Sequence, residues 1–548
     1  MPIIDASLKD LNQLLGKKLS AKELEQRLHF AKCELEASDG DQIKIEVKDS
    51  NRPDLWSAEG VARELRGKLG LRKGMPQARF KDSKHEVIAH DNVLVYRPGI
   101  ACAVVKGLKV SEPLLLQLIQ LQEKITHTFG RKREMVSIGL YEFEKLKPPI
   151  HYKGVAPESV KFVPLDFKRE MNLREILAEH PKGKEFGNLI AGHKVWPILC
   201  DDAGKICSLV PIINSELTGR VKEGTGTLLL EMTGTDERFV NTAMNVFCMA
   251  LQDRGAAIER MAVVKNKKKT WLPDYAPGKM SVALAYVNQV AGMAFTAKEV
   301  AGLLEKAQYN AKAREKTIEV EYPAYRQDLL HPIDVVEDAL IAYGYDKLLP
   351  ESVTLATNGE LTQETRQWEA IREACIGLGL QEILTFTMTS KEKQAAKMGY
   401  ADDDFVEIAN YVSTNWQVFR KRLRPELLEF LSKNKDAEYP QRLFEVGRVL
   451  RLDEKSETGV REPTRLCVAL ADAKANYTHI KSALDALAHQ LGFSYEVREE
   501  RDAAFAEGRH ACIRVNGQCK GVLGEVSDEV LAKFGLETKV ALLELELE

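Results

Sequence analysis

Four acids lie close together in the chain: Asp328, then Asp334, Glu337 and Asp338. The last three are spaced i, i+3 and i+4, so a helix there presents them on one face. Pro332 suits the start of that helix, and Gly344 is a natural stop. Carboxylates that converge repel one another unless a hard cation or an arginine neutralises them. Oxygen ligands of this kind suit magnesium, which keeps several of its waters. Acids in a first helical turn also complement the helix dipole with no metal present. A magnesium-dependent enzyme using the cluster catalytically is one reading, and a helix-end function is the other. Two basic runs, Arg131-Lys132-Arg133 and residues 265–269, are candidates for phosphate contact, although charge runs commonly stay solvated. His331 reads as a helix cap, the other histidines lack zinc spacing, and Tyr322, Tyr325, Tyr343 and Tyr345 read as core.

The elements that must position these groups are legible in outline. Ser7 caps a helix carrying Leu8, Leu11, Leu14 and Leu15, stopped by Gly16, and Ser20 with Glu23 forms a capping box. Alternation over residues 43–47 reads as a strand, and a further amphipathic helix follows Asn51-Arg52-Pro53-Asp54. Residues 71–84 read as a linker. Strands are expected at 100–105, 136–140 and 227–232, with helices at 112–126 and 239–253 and a charged break at 265–269. Residues 275–350 read as mostly helical. A helix near 362–376 then precedes a strand at 383–388, and Asn516-Gly517 marks a hairpin between 512–515 and 518–522.

The result is a multidomain α+β chain: an α/β module (1–85), a mixed domain (90–265), a helical, winged-helix-like module (273–352) and an antiparallel sheet with helices (358–548). A length of 548 residues with 44% hydrophobic and 29% charged composition supports such cores without staples. A formal net charge of −3 excludes a uniformly basic nucleic-acid binder. Nine scattered cysteines with no C-x-x-C pair imply reduced thiols and a cytoplasmic protein. No signal peptide or membrane-spanning run is expected.

Several segments, in order along the whole chain, carry a family resemblance. They are Asp49-Ser50-Asn51-Arg52-Pro53-Asp54-Leu55-Trp56-Ser57, Gly130-Arg131-Lys132-Arg133-Glu134, Val136-Ser137-Ile138-Gly139-Leu140-Tyr141, Pro211-Ile212-Ile213-Asn214-Ser215-Glu216 and Thr233-Gly234-Thr235-Asp236. Further along are Tyr325-Arg326-Gln327-Asp328, Asp334-Val335-Val336-Glu337-Asp338 and Phe444-Glu445-Val446-Gly447-Arg448. Together they resemble the beta subunit of phenylalanyl-tRNA synthetase of archaeal or eukaryotic type. The resemblance implies an alpha partner that holds the ATP- and phenylalanine-binding centre, an alpha2beta2 heterotetramer, tRNA(Phe) as substrate and no membrane. It implies a magnesium ion, shared with the alpha subunit, on Asp328, Asp334, Glu337 and Asp338. It makes residues 90–265 an editing domain, 273–352 a tRNA-contacting, metal-binding module, and 358–548 an inactive class II synthetase-like domain at the subunit interface.

Editing has a physical rationale, because a hydrophobic pocket rejects an isostere bearing one extra hydroxyl by only about 10²-fold. A second pocket that welcomes tyrosine's phenol and hydrolyses its ester supplies the rest. The resemblance places that pocket on Leu199, Ser208, Asn214, Glu231 and Thr233. Glu231 is its candidate phenol acceptor, although some relatives carry aspartate there. Leu199 forms ring-binding wall, and Ser208, Asn214 and Thr233 orient substrate or water. Each residue also has a plain reading: core for Leu199, backbone satisfaction for Ser208 and Thr233, and solvent exposure for Glu231 between Leu230 and Met232. Class II phosphate chemistry needs an arginine at the end of a G-x-G-x-x-R segment, and the nearest string, Gly377-Leu378-Gly379-Leu380-Gln381-Glu382, ends in an acid. Arg420, Arg422 and Arg424 read as a loose solvated or interface cluster. A scaffold subunit that binds tRNA without editing is the alternative.

Overall fold

The computed structural model describes residues 2–401 and 404–547, in two units, Met1–Glu351 and Ser352–Glu548. The first unit opens with a three-stranded antiparallel sheet in the order Ile3–Ser7, Gln42–Val47, Cys33–Asp39. The Ser7 hydroxyl accepts from the Asp10 amide, and the helix Leu8–Leu15 stops at Gly16 with φ 73°. The capping box of Ser20 and Glu23 is present.

A ten-stranded mixed sheet follows, in the order Ile213–Asn214, Ile206–Leu209, Trp196–Asp201, Ile150–Val155, Lys81–Ala89, Ala257–Lys265, Gly99–Lys106, Thr227–Gly234, Ser137–Glu142, with Lys268–Leu272 paired onto Ala257–Lys265. The expected break at 265–269 is instead a two-residue hairpin turn, with Asn266 and Lys267 at φ 48° and 64°. Such turns need positive φ, which asparagine tolerates best after glycine. The strand Lys81–Ala89, which begins inside the expected 71–84 linker, pairs in parallel with Ala257–Lys265, so this sheet runs past both expected ends of the 90–265 domain.

Strand alternation decides which residues reach the site. Leu228, Leu230 and Met232 pack in one core with Val240, Met244 and Phe247 of the helix Glu237–Asp253. Leu229, Glu231 and Thr233 therefore point to the opposite face, where Leu229 packs with Cys102, Tyr141, Tyr152 and Leu199. Both faces are covered, which is why this strand is buried along almost its whole length.

Residues 275–350 are not mostly helical. Their centre is an antiparallel sheet in the order Gly278–Ala283, Thr317–Tyr322, Asn310–Ala313, packed on three helices that include Pro332–Tyr343. Short strands such as Asn310-Ala311-Lys312-Ala313 carry no β-branched or aromatic signal, so pattern reading passes over them.

The second unit is built on a seven-stranded sheet in the order Gln381–Glu382, Gln441–Arg448, Thr464–Ala471, Val540–Glu546, Gln518–Val526, Phe505–Val515, Glu496–Arg498. One face packs on the helices Gln363–Gly377 and Tyr477–Leu491, the other on Arg424–Lys433 and Asp528–Phe534. The Asn516-Gly517 hairpin is present, at φ 51° and 79°. The strand expected at 383–388 is absent as such: pairing stops at Glu382 and resumes at Met388–Thr389. Between them the Thr385 amide and hydroxyl donate to the Glu445 carboxylate at 3.3 and 2.7 Å, in place of a strand neighbour. Cys512 and Cys519, expected as thiols, form a disulfide across the hairpin with Cα atoms 6.2 Å apart. Cys519 lies opposite Arg514, two residues along the strand from Cys512, so the two cysteines meet diagonally across the pair. The other seven cysteines are buried and free.

Candidate functional site

A cavity of about 360 Å³ opens against the ten-stranded sheet, and Ser208, Asn214 and Glu231 line it together with Gly139 and Tyr141. Strand register gathers them. Ser208 pairs with both Leu199 and Asn214, and Glu231 pairs with Gly139. Directly paired residues share a sheet face. A Cβ on Gly139 would lie 2.3 Å from the Tyr141 hydroxyl and 2.6 Å from Glu231 Oε2, so only glycine leaves this floor open.

The Tyr141 hydroxyl lies 3.1 Å from Glu231 Oε2, to which it donates, and 2.9 Å from Ser208 Oγ. Glu231 Oε1 is buried and has no protein partner. Burial pushes the carboxyl up to about 7, an effect moderated by the Tyr141 hydrogen bond, the Arg97 charge and Thr233. A buried acceptor without a partner costs free energy. A ligand hydroxyl delivered to Oε1 removes that cost.

Thr233 and Leu199 take places behind the wall. The Thr233 hydroxyl accepts from Arg97 Nε at 3.1 Å and lies 2.9 Å from the Ser137 hydroxyl. Arg97 also donates to Ser137 Oγ and the Thr233 carbonyl, both at 2.9 Å, so a buried guanidinium braces this end of the strand. Leu199 sits in the apolar cluster under Tyr141. Arg133, expected among phosphate-binding residues, turns inward: it donates to the carbonyls of Pro211 and Ile212 at 3.1 and 2.8 Å and covers the Phe186 ring. Sequence reasoning missed Tyr141, Arg97 and Ser137 as site residues. The spacing of Ser137, Gly139 and Tyr141 at i, i+2 and i+4 was the available signal.

Each of the four acids expected to hold magnesium has a partner within the chain. Asp338 is buried; it accepts from Arg326 at 2.7 Å and from the Tyr309 hydroxyl at 2.6 Å. Asp328 also accepts from Arg326, at 2.7 Å, with Arg52 4.0 Å away. These guanidiniums hold both carboxyls below the usual range against the opposing effect of burial. Asp334 accepts from the Leu330 and His331 amides at its own helix start, at 2.8 and 2.7 Å, and Glu337 pairs with Lys32 at 3.0 Å. Arginine, lysine and helix-end amides thus partner these four acids, with the Asp328 and Asp338 side chains buried and Glu337 half exposed. Among the described residues, the one gathered set of metal-type ligands is Glu500, Cys512 and Cys519, and its two cysteines are bonded to each other.

In the second unit two of the three clustered arginines, Arg420 and Arg424, are buried, and Arg422 lies half-buried over the Tyr400 ring. Arg420 is buried against Glu445 at 2.6 Å. Arg424 is buried against Glu544 at 2.7 Å and donates to Asp502 at 2.8 Å, and Arg465 reaches Glu544 at 3.0 Å. The carboxylates Glu445 and Glu544 already occupy the positive charge that a phosphate clamp would use.

Two family models match the chain: "tRNA synthetase B5 domain" over residues 280–345 and "Phenylalanyl tRNA synthetase beta chain CLM domain" over residues 349–547. A multidomain α+β chain carrying these two domains is a subunit of the aminoacyl-tRNA synthetase class. Relatives narrow this further. The chain is 41% identical to a phenylalanine–tRNA ligase beta subunit of Thermococcus sibiricus, over 100% of this chain and 98% of the relative. It is 42% identical to that of Pyrococcus horikoshii, over 100% and 99%. A crystallised N-terminal fragment of the Pyrococcus horikoshii phenylalanyl-tRNA synthetase beta subunit superposes with a TM-score of 0.61 at 42% identity, covering 63% of this chain and all of the fragment. The chain belongs to the phenylalanine–tRNA ligase beta-subunit family. Among the described residues, no helix is long and apolar enough to cross a membrane.

Proposed function

We propose that this chain works as the beta subunit of a phenylalanine–tRNA ligase and that its cavity hydrolyses Tyr-tRNA(Phe). ATP-dependent charging of tRNA(Phe) then belongs to an alpha partner, in an alpha2beta2 complex in the cytoplasm. Residues 1–85 form an α/β module, 90–265 with its flanking strands the editing domain, 273–352 a tRNA-contacting winged-helix-like module, and 358–548 an inactive class II synthetase-like domain at the subunit interface. One observation carries the editing reading: the unpartnered Oε1 of Glu231 at the wall of a half-open cavity lined by both apolar and polar side chains.

Glu231 accepts the phenol hydroxyl of the misattached tyrosine, a contact phenylalanine cannot make. A site built around such a bond rejects the analogue lacking it by up to about 10⁴–10⁵-fold, because the buried acceptor is otherwise left bare. Asn214 and Ser208 orient the aminoacyl ester and the attacking water, and Thr233, braced by Arg97, fixes the end of the strand that carries Glu231. Water oxygen adds to the ester carbonyl, the bond to the ribose oxygen breaks, and the proton passes to that oxygen, leaving tyrosine and intact tRNA. The Ser208 hydroxyl meets Tyr141, and the cavity's His180 is engaged by the Leu165 carbonyl and the Lys182 amide, so water attacks the ester directly, with no covalent intermediate.

The test is deacylation of Tyr-tRNA(Phe) by the complex with its alpha partner. The wild type releases tyrosine, and Glu231→Ala slows release at least tenfold, the value of one lost hydrogen bond to a charged group. A wild-type complex that leaves the ester intact overturns the proposal in favour of a non-editing scaffold.

A further inference from the structure

The group in this pocket without an assigned task is Tyr141. Its ring is fully buried and its hydroxyl reaches both Ser208 and Glu231. The terminal torsion of a glutamate is broad and two-fold, so a carboxylate in an open pocket presents either oxygen. Here one oxygen is held and the other is not. A phenol has a single proton, and an ionised carboxylate is the stronger of its two acceptors. Gly139 contributes by omission: any side chain there would occupy the space in which the phenol and carboxylate meet.

We propose that Tyr141 is a positioning residue of the deacylation site: by holding Oε2 of Glu231 it presents Oε1 as a fixed acceptor for the substrate's phenol. This inference rests on the deacylation reading above and deepens it, since it identifies the residue that sets the preference for a tyrosyl over a phenylalanyl ester.

The surroundings of Glu231 support the assignment. Arg97 precedes the strand Gly99–Lys106 and is the charged neighbour acting on it; Tyr141 bonds it from the adjacent strand, and Thr233 neighbours it on its own. Tyr152, Cys102 and Cys207 face it from three further strands as neutral, buried groups. Of the residues on neighbouring strands, Tyr141 alone both touches the carboxylate and favours its ionised form through a hydrogen bond. Removing that hydroxyl frees the carboxylate to turn and makes ionisation harder.

The experiment follows Tyr-tRNA(Phe) hydrolysis by the complex with its alpha partner across about pH 5.5 to 9, the range that brackets the Glu231 titration. For the wild type, kcat/KM rises with pH through about 7 as the acceptor ionises. Tyr141→Phe moves that midpoint alkaline by about one pH unit. It also raises KM about tenfold with a smaller change in kcat, because the lost interaction serves binding. Glu231→Gln, which cannot titrate, abolishes the pH step. Tyr141→Phe with the wild-type midpoint and KM overturns the role of Tyr141 and leaves editing intact. A pH step that persists in Glu231→Gln overturns the role given to the carboxylate. A wild type without hydrolysis overturns the deacylation reading and this inference together.

Discussion

Glu231 and Glu544 occupy matching positions in the two units and behave in opposite ways. Each is a buried glutamate on an interior strand, and each has a cysteine opposite it on a neighbouring strand, Cys102 for Glu231 and Cys467 for Glu544. Glu544 receives the Leu423 amide at 3.0 Å and the guanidiniums of Arg424 and Arg465, and they hold its carboxyl down to about 2 despite burial. Glu231 receives one phenol and rises to about 7. The same residue type, equally dry, is a closed ion pair in one unit and an open acceptor in the other. Burial alone therefore does not mark a site. What marks it is burial with an unmet hydrogen-bonding demand.

The comparison breaks most easily at Glu544. Glu544→Ala leaves two buried arginines without their carboxylate and costs roughly 3–5 kcal/mol, read as a lower denaturant midpoint for the second unit. The wild-type contribution is complete above about pH 4.5, where the unfolded carboxyl is also ionised. It is lost as pH falls toward 2, because the folded carboxyl keeps its charge over that interval and the unfolded one does not. A loss under about 1 kcal/mol, typical of a surface pair, would show that the pairing is not the closed network described.

Glu231 sharpens the contrast with the opposite sign. The folded carboxyl keeps its proton up to about pH 7, whereas an exposed one releases it near 4.5. The native state binds more protons across that window, so its stability falls as pH rises through it. Glu231→Gln removes that penalty and raises stability by ~3 kcal/mol at pH 8, with little change near pH 4. Equal effects at the two pH values, measured by urea unfolding, would place Glu231 in a wetter site than the one described.

Much of the scaffold was legible because local chemistry specifies it. Ser7 and Gly16 delimit a helix, Ser20 with Glu23 starts another, and Asn516-Gly517 turns a hairpin, each through an interaction a few residues long. Within the site, the alternation of Leu230, Glu231 and Met232 is visible in the sequence, but a solvent-facing glutamate was an equally good reading of it. Only a sheet covered on both faces makes Glu231 an interior residue. Arg97 and Tyr141 escaped because their partners lie 136 and 90 residues away along the chain. The partners of the acids at 328–338 were hidden for the same reason: helical spacing is a local property, while Arg52 and Lys32 belong to the distant N-terminal module. The Cys512–Cys519 disulfide closes over a hairpin whose register shifts the sequence does not announce.

We assign hydrolysis to this chain and phosphate chemistry to its partner, because Arg420, Arg424 and Arg465 of the second unit are already matched by Glu445 and Glu544. Phenylalanine-dependent exchange of pyrophosphate into ATP, measured on the purified chain with and without the alpha subunit, tests that division most directly. The predicted result is exchange only when the alpha subunit is present; exchange by this chain alone would contradict it.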